Sequence, residues 1–65
     1  MISYDRLWKT LIDRHMKKTD LRDLVGISNT TLAKLGKCEP VNLKIIESIC
    51  IALQCSIEDV VEIRP

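Results

Sequence analysis

Three cysteines and one histidine are the residues of this chain best suited to metal binding or redox chemistry. By number, Cys38, Cys50, Cys55 and His15 could supply a Cys3His zinc set. Cys50 lies in an apolar segment, however, and free cysteine usually packs as a small hydrophobic residue, which we expect of Cys55 as well. His15 is expected at the end of a helix, where it interacts with the helix dipole or with the edge of the core. We therefore expect no metal and no cofactor, and only Cys38, in a loop, is a candidate for redox sensing.

The other polar residues do not form a constellation of the kind that enzymes use. We find no paired carboxylates, no Ser or Cys that can be placed beside the histidine, and no glycine-rich phosphate loop. A chain of 65 residues also leaves little room for a pocket. The sequence therefore predicts a protein that is not an enzyme and has no evident small-molecule site.

The composition is that of one soluble globular domain spanning residues 1–65, with 46% hydrophobic and 29% charged residues. No apolar run approaches the roughly 20 residues that a membrane helix needs, and no signal-peptide pattern is visible. The odd number of cysteines is unlike a small secreted domain stapled by disulfides. We expect a cytoplasmic protein without a membrane partner.

Charge is distributed unevenly along the chain, although the formal net charge is only +1. Residues 1–37 contain eight basic and four acidic residues, a net charge of +4, whereas residues 38–65 carry a net charge of −3. A domain polarised in this way can present a basic face to phosphates and turn its acidic face away. A charged surface without any partner is the alternative, and charge alone does not exclude it.

The spacing of apolar residues predicts an all-α fold of five helices. Apolar side chains recur at intervals of three and four, which places them on one face of each helix. The predicted helices span residues 4–15, 18–25, 29–36 and 43–54, followed by a short helix that starts at Ser56. Trp8 lies on the apolar face of the first helix, so we expect it to be packed. By side-chain chemistry Thr19 is the best N-cap for the second helix and Asn42 for the fourth. A capping-box pattern over residues 56–59 predicts that last helix. The stretch 61–63 could also pair as a short strand with residues 1–3.

The helices over 18–25 and 29–36 are joined by a short turn that contains Gly26. Glycine suits the left-handed conformation that ends many helices, and Ser28 is a good N-cap for the helix that follows. In that following helix only Leu32 and Leu35 are large and apolar, so most of its surface is left to face something polar. Helix, glycine-containing turn and helix is the pattern of a helix-turn-helix over residues 18–36.

The stretch KTDLRDLVGISNTTLAKL, residues 18–35, resembles the helix-turn-helix of the Cro and lambda-repressor family, also called the xenobiotic-response-element family. The resemblance continues through VNLKII at 41–46, ICIAL at 49–53 and SIEDVV at 56–61, so it covers nearly the whole chain. It implies a compact five-helix, lambda-repressor-like DNA-binding domain whose second motif helix enters the major groove of double-stranded DNA.

The resemblance also implies which residues touch DNA. The positions that read bases correspond to Asn29, Thr30, Ala33 and Lys34. Their side chains suit the task, since Asn can pair with adenine, Lys reaches guanine and a methyl group can meet the thymine methyl. The candidates for phosphate contact are Lys18, Thr19, Ser28, Thr31, Lys37 and Lys44.

Three residues depart from the family pattern. Lys18 stands where Gln is frequent, and it can serve a phosphate only as a point charge. Arg22 stands where a small residue is common, inside the joint between the two helices, so it must turn outward or alter the packing. Gln54 stands where Gly is common, so we expect strain at that helix end.

The functional expectation is a nucleoid-associated transcriptional regulator, a repressor that binds a palindromic operator as a homodimer. Dimers read two half-sites about one helical turn apart. We expect the dimer interface near the end of the sequence, at Val60, Val61 and Ile63. The alternative is a protein-protein interaction module on the same fold, such as an antitoxin or anti-repressor. The low net charge and Asp20, near a presumed phosphate contact, favour that alternative slightly.

Overall fold

The computed structural model describes all 65 residues as four helices, one short 3-10 turn and a two-stranded sheet. The first strand and the first helix lie close together in sequence, and the last strand follows the 3-10 turn. The elements are β1 (Ile2–Ser3), α1 (Asp5–Asp13), α2 (Lys18–Val25), α3 (Asn29–Gly36), α4 (Leu43–Leu53), the 3-10 turn (Ile57–Asp59) and β2 (Glu62–Ile63).

The predicted fifth helix is wrong. The backbone N–H of Ser56 donates to the Asp59 carboxylate at 3.2 Å, as a capping box requires, but the helical segment ends after Ile57–Asp59. The β-branched Val60 and Val61 follow, and such residues favour extended backbone. The chain then forms β2, which pairs antiparallel with β1 in the register Ile2 to Ile63 and Ser3 to Glu62. The strand pairing considered from the sequence is therefore present.

The core is built from nine buried apolar residues, which come from all four helices and from the residues that directly follow β1 and the 3-10 turn. They are Tyr4, Leu7, Leu11, Leu21, Leu35, Ile46, Ile49, Leu53 and Val60. Helix α4 contributes three of them but is less enclosed than its composition predicts, since Leu43 is 74% exposed and Ile51 is 70% exposed. Both residues lie on the solvent side of α4, which an all-round apolar pattern does not distinguish from the core side.

Helix ends follow the local chemistry of the sequence in most cases. Ser28 accepts a hydrogen bond from the Thr31 N–H at 3.1 Å, and Asn42 accepts one from the Ile45 N–H at 3.0 Å, so both act as the N-caps expected of them. Helix α2 is different, because its N-cap is Lys17 and Thr19 lies inside the helix. There the Asp20 carboxylate accepts the Lys17 N–H at 2.8 Å and completes the helix start.

Helix α1 ends at Asp13, two residues before the predicted end at His15. His15 adopts a left-handed backbone conformation with φ 56°, and the N–H of Met16 returns to the carbonyl of Leu11 at 2.9 Å. This closes the helix in the manner of a C-terminal capping motif. The short link then places α2 against α1 and brings the helix-turn-helix into position.

Candidate nucleic-acid interface

Helices α2 and α3 are joined by a turn of three residues, 26–28, and span the residues predicted for them. Gly26 ends α2 with φ 79°, a left-handed conformation in which its N–H bonds to the carbonyl of Arg22 at 2.8 Å. Ser28 starts α3 immediately afterwards. Because the joint is this tight, α3 is held rigidly against α2, as a recognition element must be.

Helix α3 is anchored by a narrow apolar seam. Leu35 is its one fully buried residue and Leu32 is half-buried. The opposite side of α3 faces solvent, and the four side chains predicted to read bases are all exposed on it: Asn29, Thr30, Ala33 and Lys34. A short helix with one buried residue and a polar, exposed side has the form needed to enter a groove of DNA.

The guanidinium of Arg22 turns outward and bridges the two helices of the motif. Its Nη1 donates to Asn29 Oδ1 at 2.8 Å, and its Nε donates to the Asp23 carboxylate at 3.0 Å. The α2–α3 joint therefore accommodates an arginine without burying its charge. Asn29 is thus already hydrogen-bonded in the free protein, through its carbonyl oxygen.

The first residues of α2 carry a second organised contact. The Nζ of Lys18 lies 4.3 Å from the centroid of the Trp8 ring, within the range of a cation–π interaction. Trp8 also packs against the core, so it connects the buried part of α1 to this ammonium group. Lys18 and Thr19 are both exposed beside the start of the helix, where the predicted phosphate contact would lie.

Ser28 and Thr31 form a closed local arrangement at the start of α3. Besides capping the helix, the Ser28 hydroxyl donates to Thr31 Oγ1 at 3.1 Å. The Thr31 backbone N–H is occupied by the cap, so what remains available to a phosphate is the proton of the Thr31 hydroxyl. The backbone contact expected here is thus restricted to the N–H groups of the neighbouring residues.

Ion pairs divide the basic residues into two classes. Every ion pair of the chain uses an arginine: Arg6 with Glu62, Arg22 with Asp23, and Arg64 with both Asp5 and Glu62. None of the six lysine ammonium groups has a carboxylate partner. Lys34, Lys37 and Lys44, on or next to α3 and α4, are exposed and free to meet an anion.

Residues 6–65 match the family model described as the Cro/C1-type HTH DNA-binding domain. The chain belongs to this family. The match begins at the second residue of α1 and continues through both helices of the motif, α4, the 3-10 turn and β2. The resemblance seen in the sequence is therefore confirmed.

Two proteins are similar to this Cro/C1-type domain, one by sequence and one by both fold and sequence. The chain is 39% identical to an uncharacterized HTH-type transcriptional regulator of Bacillus subtilis (strain 168), over 83% of this chain and 67% of that protein. The crystal structure of the transcriptional regulator VanUg superposes with a TM-score of 0.96 at 52% identity, and covers 98% of this chain and 85% of its own.

The structure shows how the three departures from the Cro/C1-type pattern are accommodated. Arg22 turns outward onto Asn29, and Lys18 rests on Trp8. Gln54, where the family frequently has glycine, ends α4 with φ 52°. A side chain in this left-handed region is disfavoured relative to glycine, so the expected strain at this helix end is present.

Two of the residues expected at a dimer interface are accessible in the single chain, and one is not. Val60 is fully buried in the core, so it is a core residue and has no surface to offer a partner. Val61 is half-buried, and Ile63 on β2 is 74% exposed. An interface near the end of the sequence therefore depends on Ile63 and the accessible part of Val61.

The residues considered for metal or redox chemistry do not form a cluster. All three cysteines are free thiols, with Cys38 exposed and the other two half-buried, and no group of three potential ligands is close enough to hold a metal ion. Burial raises the pKa of the Cys55 thiol above its ordinary value. None of the helices is long and apolar enough to cross a membrane.

The surface has one open hollow, with a volume of about 390 Å³, between α1 and the 3-10 turn. Its lining is entirely polar or charged and comprises Arg6, Lys9, Thr10, Asp13 and Asp59. Small-molecule sites are usually concave and mostly apolar, and this hollow has no apolar wall.

The roles of Arg22 and Trp8 were missed by reasoning from the sequence. The sequence predicts that Arg22 either turns outward or alters the packing of the joint, but it predicts neither the bond from Arg22 to Asn29 nor the contact of Trp8 with Lys18. The signal for Arg22 was present: an arginine opposite an asparagine across a glycine turn can reach it. Nothing local marks the contact of Trp8 with Lys18, which depends on how α1 packs on α2.

Proposed function

We propose that this chain is a sequence-specific transcriptional regulator that inserts α3 into the major groove of double-stranded DNA. The observation that carries the proposal is the exposed polar side of α3. The chain's membership of the Cro/C1-type HTH DNA-binding family supports it. Thr30 and Ala33 offer methyl groups to thymine, and Lys34 can donate to guanine O6 and N7. Asn29, at the first position of α3, contacts the base nearest the helix start.

Phosphate contacts position the domain on the duplex. We assign them to Lys18, Lys37 and Lys44, with the hydroxyl groups of Thr19 and Thr31 and the backbone N–H of Ser28 also contributing. Support comes from the absence of any carboxylate partner for these lysines, since a free ammonium group gains more from a phosphate than one already paired. The Lys18 ammonium is also held in place by the Trp8 ring.

We further propose that the regulator acts as a homodimer on a palindromic operator, and as a repressor. One helix of eight residues reads only a few base pairs, so two copies related by a two-fold axis gain specificity by reading two half-sites. Ile63 is the exposed apolar residue that we place at the interface, together with Val61. Repression follows because a bound dimer blocks other proteins from the operator. With DNA as its partner, the protein acts in the cytoplasm, at the nucleoid.

The dimer is tested by replacing Ile63 with Asp and measuring mass in solution by sedimentation. We expect a folded monomer, because an exposed side chain at the edge of the sheet can be changed without disturbing the core. A dimer of unchanged mass would contradict this placement of the interface.

DNA reading is tested by selecting sites from random duplexes with the parent protein and with the double variant Asn29→Ala, Lys34→Ala. We expect a palindromic site from the parent and a lost or relaxed site from the variant. Both substituted side chains are exposed, so a matched melting curve separates lost reading from lost folding. Weak binding without sequence preference from both proteins would contradict the proposal.

A protein-protein interaction module is the second candidate, and one observation favours it. The Asp20 carboxylate occupies the start of α2, where the family's phosphate contact would lie, and already accepts the Lys17 N–H at 2.8 Å. Salt dependence separates the two candidates. Three lysine contacts from each protomer of a dimer give a slope of roughly −5 in log affinity against log salt concentration. A slope near zero, with retained affinity for a protein partner, would favour the module.

A further inference from the structure

Arg22 joins the two helices of the motif at the point where α3 begins. Its Nη1 donates to Asn29 Oδ1 at 2.8 Å, and its Nε donates to Asp23 Oδ1 at 3.0 Å. The Arg22 side chain is 32% exposed, so the guanidinium lies at the surface beside Asn29 and is fixed on two sides.

The contact determines which atoms Asn29 can offer. A guanidinium has only donors, so the asparagine amide must turn its carbonyl oxygen toward Arg22 and keep its Nδ2 for an outside partner. The Nδ2 has no hydrogen-bond partner within the chain, and the guanidinium has five N–H groups of which two are used. The start of α3 therefore presents N–H donors beside a positive charge.

Base edges differ in how well they meet such a surface. Adenine offers an acceptor at N7 and a donor at N6, so an asparagine that reads adenine uses its Nδ2 and its oxygen together. Guanine offers two acceptors, N7 and O6. The oxygen of Asn29 is engaged by a cation, which opposes the approach of the adenine N6–H group, whereas guanine meets donors at both positions.

We propose that Arg22 is a specificity-determining residue that turns Asn29 from an adenine reader into a guanine reader. This inference rests on the proposed function, because it concerns the base that α3 reads first. The competing role for Arg22 is that of a simple cation near the phosphates, which would add affinity for every DNA sequence alike.

The test measures affinity for four duplexes that differ only at the base pair read by Asn29. That pair is the position of the selected site at which the Asn29→Ala variant loses discrimination. Each duplex is titrated with the parent protein, with Arg22→Ala and with Arg22→Met, which retains an aliphatic stem. Asp23→Ala is the matched control, because Asp23 bonds to the same guanidinium and has no hydrogen bond with Asn29.

We expect the parent and Asp23→Ala to prefer guanine over adenine by about tenfold, the discrimination of a good base contact. Both Arg22 variants should reverse this preference to adenine, at this position alone, with melting temperatures close to that of the parent. Equal loss of affinity for all four duplexes would overturn the inference and leave Arg22 as a phosphate cation. An unchanged guanine preference, or a parent that prefers adenine, would also overturn it. A parent that selects no site at all would instead contradict the proposed function itself, and this inference with it.

Discussion

Replacing Leu35 by Ala tests how α3 is held in place. Leu35 is the one fully buried residue of α3, and truncating a buried leucine lowers the free energy of unfolding by about 3 kcal/mol, through the lost transfer free energy and the cavity left behind. Alanine is the best helix former, so the loss measures packing and not helix propensity. A domain of 65 residues has a total stability of about 3–10 kcal/mol. The substitution should therefore remove between a third and all of the folding free energy.

The assay is urea unfolding followed by the fluorescence of Trp8, the single tryptophan, which packs against the core. With a slope of about 1 kcal/mol per molar urea, a loss of 3 kcal/mol lowers the midpoint by about 3 M. The matched control is Leu43→Ala, the same change at a residue that is 74% exposed, and we expect it to alter the free energy of unfolding by less than about 0.5 kcal/mol. Equal losses for the two variants would refute the argument from burial.

Three further predictions concern single residues. Gln54→Gly relieves the left-handed conformation at the end of α4 and should raise the free energy of unfolding by about 1 kcal/mol, measured by urea unfolding; a lower value would contradict the assigned strain. Burial raises the pKa of the Tyr4 hydroxyl, whose O–H donates to the Glu39 carbonyl, so the folded chain holds this proton more tightly than the unfolded chain. Stability should be constant with respect to Tyr4 below its ordinary pKa and fall as the pH rises from that value through the raised pKa of the folded chain, whereas Tyr4→Phe should lack this fall in thermal melts at alkaline pH. An aromatic disulfide reagent at neutral pH should modify Cys38 before Cys55, because Cys38 is exposed and burial raises the pKa of the Cys55 thiol; equal rates in a peptide-mapped time course would count against this order.

Local chemistry explains the parts of the fold that could be predicted. Gly26, Ser28 and Asn42 each act within a few residues, through a left-handed conformation or a side-chain cap, and each is found in the predicted role. Signals of this kind are read directly from the sequence because the interacting groups are neighbours along the chain.

The end of the domain could not be assigned by such signals alone. The capping pattern at Ser56 does start a helical turn, but whether it continues depends on the pairing of residues 62–63 with residues 2–3. A pairing across nearly the whole length of the chain leaves no local mark, so a short helix and a short strand were both compatible with the β-branched residues there.

The exposed side of α3 could be predicted from the sequence, but the hydrogen bonds of the residues on it could not. The small number of apolar residues in the helix fixes which side faces the core, and the exposed side follows from the helical period. The bond from Arg22 to Asn29 depends instead on the angle and distance between two helices, which packing decides. The start of α2 was assigned less well, because Asp20 closes it through Lys17 while the favoured cap, Thr19, lies inside.

The pairing of β1 with β2 makes the two ends of this polypeptide neighbours in space, with the amino group of Met1 2.6 Å from the carbonyl oxygen of Arg64. In folding, this is the contact with the largest loop to close, and loop closure becomes more costly as the loop lengthens. Helices α2 and α3 are joined by a three-residue turn, so the contact between them forms at almost no loop-closure cost. Linking the two ends covalently and opening the chain in the loop between α3 and α4 would exchange these costs: the sheet would become the local element that forms early, and α4 would have to find its place on α2 without the short connection through α3.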